Sequence, residues 1–335
     1  MTTQHPVLVT GGAGYIGSHA VLALQDAGWP VAVIDNLVTG FRSSVPEGVA
    51  FYEGDIADKT LLTQIFAEQG MGDGKGAIMH FAGSVVVPES VENPLKYYEN
   101  NTSKSRALIE VAVGARVPHF IFSSTAATYG TPDVEAVNEE TPQDPINPYG
   151  MSKLMTELML RDVSCVHDFN YCALRYFNVA GADPQGRAGQ STVGATHLIK
   201  VAVEAALGKR SHVAVFGTDF DTPDGTGVRD YIHVSDLAKA HVLALEAIMA
   251  DSSRSLTMNC GYGRGFSVLD VLNAVDRATN QTINRRFEGR RAGDPAALIS
   301  DNSRIKATLP WVPQYQDLST IVEHALAWER KLNPA

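Results

Sequence analysis

Five near-continuous apolar runs mark the first half of the chain: PVLVT (6–10), WPVAVID (29–35), VAFYEG (49–54), AIMHFAG (77–83) and HFIFSS (119–124). They lack the strict alternation of a half-exposed strand, which predicts parallel strands buried on both faces. Helical patterns fill the gaps near 15–27, 59–69 and 94–115. The order βαβαβ predicts a doubly wound α/β sheet. Further on, YCALRYFN (171–178) reads as another strand and SDLAKAHVLALEAIM (235–249) as an amphipathic helix. GTDFDTPDGTG (217–227) is a polar, glycine-rich loop, of a length that is uncommon in compact domains and often functional. No repeat or low-complexity linker divides the chain, so a second, smaller mixed α/β domain is expected to interleave with the first. The expected division is 1–178 with 231–259 against 179–230 with 260–335.

Composition narrows the classes. With 335 residues, 44% hydrophobic and 19% charged, the chain is an ordinary globular protein with enough length for a large core. Its 27 basic and 37 acidic residues give a net charge of −10, which argues against a nucleic-acid partner. Cys165, Cys172 and Cys260 show neither a zinc-site spacing nor a disulfide framework, so no metal is expected. No stretch approaches the roughly 20 apolar residues of a membrane span. The opening MTTQHPVLVTGG does not read as a secretion signal. A cytoplasmic protein is expected.

The first strand runs into T-G-G-A-G-Y-I-G (10–17), with Gly11, Gly14 and Gly17 spaced by three before a helix. Such glycines let backbone approach a pyrophosphate, which then sits against the free amides of the helix start. Asp35 closes the next strand in V-I-D-N, where a carboxylate accepts from the adenosine ribose hydroxyls and repels a 2′-phosphate, favouring NAD over NADP. A helix cap or a solvated loop acid is the plainer reading of Asp35. Asp55 and Ile56 follow the third strand, suitably placed to meet adenine, although an aspartate there also suits a cap. Phe81, Ala82 and Gly83 end the fourth strand with little bulk, as a cofactor passage or a simple turn requires.

P-Y-G-M-S-K (148–153) sets Tyr149 and Lys153 one helical turn apart on one face. Upstream, F-S-S-T-A-A-T-Y-G (122–130) brings Ser124 and Thr125 off the carboxyl end of a strand, where such sheets bind ligands. A free tyrosine, with a pKa near 10, is a poor base at neutral pH. A neighbouring ammonium and an oxidised nicotinamide are expected to lower that value. Thr125 would then orient a substrate alcohol whose proton Tyr149 removes. The plainer alternative is a buried tyrosine with a surface lysine.

These motifs, with L-R-Y-F-N (174–178) and G-V-R-D-Y-I-H-V (227–234), resemble the extended short-chain dehydrogenase/reductases, and among them the UDP-glucose 4-epimerase family, from the first strand to about residue 330. The resemblance implies a Rossmann-type fold, NAD as cofactor and reversible epimerisation at C4 of a UDP-hexose through a 4-keto sugar. It implies Thr125, Tyr149 and Lys153 as the catalytic set, with Lys153 also on the nicotinamide ribose. NAD contacts are implied for Gly11, Gly14, Tyr15, Ile16, Gly17, Asp35, Asn36, Asp55, Ile56, Phe81, Ala82, Gly83, Asn100, Ser123 and Phe177, besides Tyr149 and Lys153. Asn178, His197, Leu198, Val215, Phe216, Arg229, Tyr231, Arg291, Asp294 and Leu298 are implied for the UDP-sugar, together with Thr125 and Tyr149. A homodimer through the helices near 94–115 and 149–167 is also implied.

Related dehydratases carry an Asp-Glu pair after the active-site Thr, and decarboxylases a glutamate; here Ala126 and Ala127 stand there. Hydride return to the ketone is the outcome left. Arginine forks suit phosphates, and the resemblance implies Arg229 and Arg291 as diphosphate or ribose contacts, against a solvated basic turn as the plain reading of R-R-F-E-G-R-R (285–291). The chain departs from the family at Val85, where many bacterial relatives have a lysine, and at His197, where several have an asparagine. Leu298 falls at the gate for the C2 substituent, leaving N-acetyl sugars and pentoses open as substrates. A net reductase and a catalytically silent NAD-binding protein are the remaining rivals.

Overall fold

A computed structural model describes residues 5–291 and 294–332. Its strands are β1 (Val7–Thr10), β2 (Val31–Asp35), β3 (Ala50–Glu53), β4 (Ala77–His80), β5 (His119–Thr125), β6 (Asn170–Tyr176), β7 (Asn178–Ala180), β8 (Val213–Phe216), β9 (Val228–His233), β10 (Leu256–Cys260), β11 (Gly265–Ser267), β12 (Arg285–Glu288) and β13 (Ala297–Leu298). The helices are α1 (Tyr15–Asp26), α2 (Lys59–Gln69), α3 (Val87–Glu92), α4 (Pro94–Tyr97), α5 (Lys104–Gly114), α6 (Pro148–Ser164), α7 (Leu198–Ala206), α8 (Val234–Ala250), α9 (Val268–Thr279), α10 (Ser303–Thr308) and α11 (Leu318–Lys331).

Seven strands form one parallel sheet in the order β10-β6-β5-β4-β1-β2-β3. The five apolar runs supply β1 to β5, and side-chain alternation splits them between two cores, but β3 is not buried on both faces as expected: it is the edge strand and stays half exposed. Val7, Val9, Val33, Met79 and Ile121 pack with α1 and α8 on one face. Leu8, Ile34, Ile78, Phe120 and Phe122 pack on the other, with Leu62 of α2, Leu108 of α5 and Leu160 of α6. Strand order reverses between β1 and β4, which opens a crevice at their carboxyl ends. A second sheet joins β11, β9 and β13, with β7 also paired to β9, while β8 and β12 form a separate parallel pair.

Two expectations change. The segment 94–115 is not one regular helix: Asn93 caps α4, Pro94 starts it, and a π-helical stretch from Tyr98 to Ser103 intervenes before α5. Residues 171–178 are not one strand either, because the chain leaves the central sheet after Tyr176 and enters the second at Asn178, with Phe177 at the crossing. Among the described residues no helix is long and apolar enough to cross a membrane, and no group of three or more His, Cys, Asp or Glu side chains is placed to hold a metal.

Candidate active site

The glycine turn lies at the sheet's switch point. Gly11 has φ +69, and a Cβ there would stand 2.6 Å from the Ala82 amide nitrogen; a Cβ on Gly17 would stand 2.1 Å from the Gly11 carbonyl oxygen. The turn therefore closes only without side chains. α1 begins after Gly14 with no capping side chain and no acidic residue in its first turn, so its N-terminal end is left for a ligand's negative charge. Asp35 is buried and accepts from the Ala13 amide at 2.9 Å and the Leu37 amide at 2.8 Å, tying the end of β2 to the turn. It is not a helix cap. The Tyr15 hydroxyl donates to the Gly181 carbonyl at 2.8 Å, joining the start of α1 to the second sheet. Gly17→Ala forces its methyl against backbone, and overpacking of this kind costs about 1–3 kcal/mol. The expected result is a lower Tm and loss of bound nicotinamide, read by calorimetry and by release on denaturation.

Asp55 pairs with Lys104 at 2.6 Å and accepts from the Ala57 amide at 2.9 Å. Burial works against the charge, but Lys104 and the amide hold this carboxyl below its ordinary range. Ile56 is buried, whereas Asn36 is exposed and bonds to Asp55. Phe81, Ala82 and Gly83 continue from β4 opposite the glycine turn. The residue that fixes them is Asn101 of the π-helical stretch: its Oδ1 accepts from the Ser84 amide at 2.7 Å and its Nδ2 donates to the Ser84 carbonyl and the Ser152 hydroxyl, each at 3.0 Å. Asn100 donates to the Ser84 hydroxyl, at 3.0 Å. A Cβ on Gly83 would stand 2.8 Å from Asn101 Oδ1.

Asn147 caps α6 by accepting from the Gly150 amide at 2.9 Å, and Pro148 takes its first position. Tyr149 and Lys153 therefore project from the first turns of this helix toward the end of β5. The Tyr149 hydroxyl stands beside Thr125, whose side chain favours the phenolate, and its ring meets Tyr97 edge-on at 6.5 Å between centroids. Thr125 also accepts from the Ala127 amide at 3.1 Å. Lys153, buried, donates from Nζ to the Ser123 carbonyl at 2.9 Å, with Phe122 beneath at 5.0 Å. A surface lysine is thereby excluded. Burial lowers its pKa to about 8. The expected depression of the tyrosine is not found in these side chains: burial raises the Tyr149 phenol, and the neighbouring Thr125 side chain only partly offsets that. The physical reason is desolvation of a phenolate, with Lys153 directed at a carbonyl rather than at the phenol.

On the other side of the crevice, Asn178 and Tyr231 are register partners in β7 and β9. With His197 and Leu198 they line one small cavity. His197 itself lies 2.9 Å from Gln190. Val215 is buried in β8, and Arg291 lies over the neighbouring Phe216 ring at 3.6 Å. Arg229 donates to Asp294 at 2.7 Å and to the Val228 carbonyl at 2.8 Å. The arginines of 285–291 do not form a uniformly solvated turn: Arg285 pairs with Asp276 and Arg290 with Asp219. Leu298 sits opposite Arg229 in register and packs with Phe177 against Ala126, Tyr129 and Val137, directly after Thr125.

The sequence profile of the NAD dependent epimerase/dehydratase family matches residues 7–261. The chain belongs to this family. Within the family, a UDP-glucose 4-epimerase of Azospirillum brasilense is 53% identical over 326 residues, 97% of this chain and 92% of that protein. A UDP-glucose 4-epimerase of Bifidobacterium longum, solved with NAD+ and UDP, matches at a TM-score of 0.91 and 38% identity over 98% of this chain and 99% of its own. A UDP-Glc/GlcNAc 4-epimerase of Campylobacter jejuni matches at a TM-score of 0.84 and 44% identity over 98% and 99%. Family motifs led to Thr125, Tyr149, Lys153 and the glycine turn. They did not lead to Asn101 or Glu157, nor to the partners of Ser124 and Arg175, because those partners are far away in sequence. A buried charge on the Tyr149 face of α6 was the available signal for Glu157.

Proposed function

We propose that this protein is a reversible NAD-dependent 4-epimerase interconverting UDP-glucose and UDP-galactose through a 4-keto sugar. The observation that carries the reading is the Tyr149 phenol placed beside Thr125 at the carboxyl end of β5, with Ala126 and Ala127 following and no acid there for elimination. When bound, NAD supplies the acceptor and donor of the electron pair at C4. The residues fit it: the side-chain-free turn and the uncapped α1 leave space and amides for the pyrophosphate, and Asp35 stands ready for ribose hydroxyls. In this reading Thr125 holds the C4 hydroxyl, and Tyr149 takes its proton and later returns it. Lys153 supplies positive charge beside the phenolate and holds the nicotinamide ribose. Asn178, His197, Leu198, Val215, Phe216, Arg229, Tyr231, Arg291 and Asp294 anchor UDP while the sugar turns its other face.

Purified protein should convert UDP-galactose to UDP-glucose with no NAD added, and denaturation should release nicotinamide. Failure on both UDP-hexoses even with NAD supplied would reject the reading. Leu298 packs with Phe177 against Ala126, next to Thr125, so its size is read as the gate that decides whether N-acetyl sugars are also turned over. Leu298→Tyr is expected to lower UDP-GlcNAc turnover about tenfold relative to UDP-glucose. An unchanged ratio of the two rates would remove Leu298 from the gate.

The division into 1–178 with 231–259 for NAD and 179–230 with 260–335 for the UDP-sugar belongs to the same reading, as does a cytoplasmic location. So does a homodimer through the helices near 94–115 and 149–167. Leu95, Met155 and Leu158 are exposed apolar residues on these helices, a feature typical of association surfaces. Sedimentation should give twice the 36.0 kDa chain mass, and Leu158→Glu should shift the protein to the monomer.

A further inference from the structure

Beneath the Thr125–Tyr149 pair lies a buried ionic network that the chemistry above does not use. Arg175 and Glu157 are 5% and 6% exposed. The guanidinium grips the carboxylate as a fork, Nε to Oε1 at 3.0 Å and Nη2 to Oε2 at 2.7 Å. Its third nitrogen donates to the Tyr129 hydroxyl at 2.9 Å, and that hydroxyl donates to Asn259 at 2.6 Å. Glu157 also accepts from the Ser124 hydroxyl. The Gln143 amide, at 3.5 Å, completes its contacts.

Glu157 continues the Tyr149, Lys153 face of α6, four residues beyond the lysine. Ser124 immediately precedes Thr125, and Tyr129 ends the turn that Thr125 begins. Arg175 lies opposite Ser124 in register on β6. The fork thus joins the helix carrying the phenol to the strand carrying the threonine, through the strand between that one and β10. A bidentate guanidinium–carboxylate pair fixes both distance and angle. It does so at a cost, because a buried ion pair is often no more stable than apolar residues of the same volume. Its placement under the reacting groups is explained by geometry rather than by stability.

We propose that Glu157 and Arg175 are a positioning pair that sets the alignment of Tyr149 with Thr125, and through them the proton transfer at the C4 oxygen. The inference rests on the epimerase reading. In Glu157→Gln, kcat for UDP-galactose is expected to fall by about a hundredfold, as for a displacement of reacting groups near 1 Å. KM should stay within about twofold, since UDP is held elsewhere. The double variant Glu157→Met/Arg175→Leu removes the pair without leaving a buried charge, so its Tm should lie near that of wild type while kcat stays low. It also carries the test should Glu157→Gln fold poorly. An unchanged kcat in the single variant, or a double variant that recovers kcat together with Tm, would overturn the assignment. An active wild type with unaffected variants sinks this inference alone. A wild type that converts neither UDP-hexose overturns the epimerase reading and this inference with it.

Discussion

Tyr149→Phe should lower UDP-galactose conversion by about a thousandfold, within the range for loss of a positioned general base. The variant keeps the ring, its edge-on contact with Tyr97 and the helix start set by Asn147 and Pro148. It loses the hydroxyl and its polar contact with Thr125, a change of at most about 1 kcal/mol in stability. Tm should therefore change little, and the nicotinamide content should be that of wild type. The pH dependence gives a second check. Burial holds the phenol above its ordinary pKa in the ligand-free protein, so the phenolate forms only as positive charge is brought beside it. For the wild type, kcat is expected to rise with pH along a limb belonging to the phenol, and this limb should be absent from the residual activity of the variant. Turnover near the wild-type rate would reject Tyr149 as the base.

Lys153→Met should reduce both the rate, by about a hundredfold, and cofactor retention. The change removes the donor to the Ser123 carbonyl and the cation one helical turn from Tyr149, while the stem volume is largely kept. Its effect on stability has a defined sign. Burial lowers the folded-state pKa to about 8, below the value of about 10.4 expected of an unfolded lysine. Below pH 8 both states carry the proton and the burial penalty is present in full. Between the two values the unfolded chain binds more protons than the folded one, so the lysine's contribution to stability rises with pH; above both it is constant. Denaturant titration of the ligand-free protein at pH 7.5 and 9.5 should show a gain from this group of about 2 kcal/mol in wild type, missing in Lys153→Met. An equal pH response in both proteins would show that the lysine does not carry that penalty.

Much of the architecture is local in origin, and it was legible for that reason. The apolar runs that became β1, β2, β4 and β5 are buried on both faces; β3, read the same way, is a half-exposed edge strand, because its place in the sheet leaves one side without a neighbour. The glycine spacing permits a turn that a side chain would block, as the Gly17 contact shows. Asn147 and Pro148 start a helix at the point that puts Tyr149 and Lys153 on one face. The family motifs added a candidate reacting set, Thr125, Tyr149 and Lys153, since residue types at fixed spacing can be matched before any geometry is known.

Other features depend on groups that meet only after the sheet has formed. Nothing in the composition of 94–115 called for the π-helical stretch that places Asn101, rather than Asn100, on the Ser84 backbone. The crossing at Phe177 follows from pairing Asn178 with Tyr231, more than fifty residues away. The Glu157–Arg175 fork joins elements whose order in the sheet, not in the chain, makes them neighbours. Direction of the Tyr149 shift belongs here too. Spacing puts a lysine one turn away, but burial of the phenol and the competing Ser123 carbonyl decide the balance. Periodicity, turn chemistry and motif spacing were thus determined by the sequence itself, because each acts over a few residues. Desolvation, long-range hydrogen bonding and the alignment of Thr125 with Tyr149 were decided by the tertiary structure, because each is set by which distant segments exclude water together.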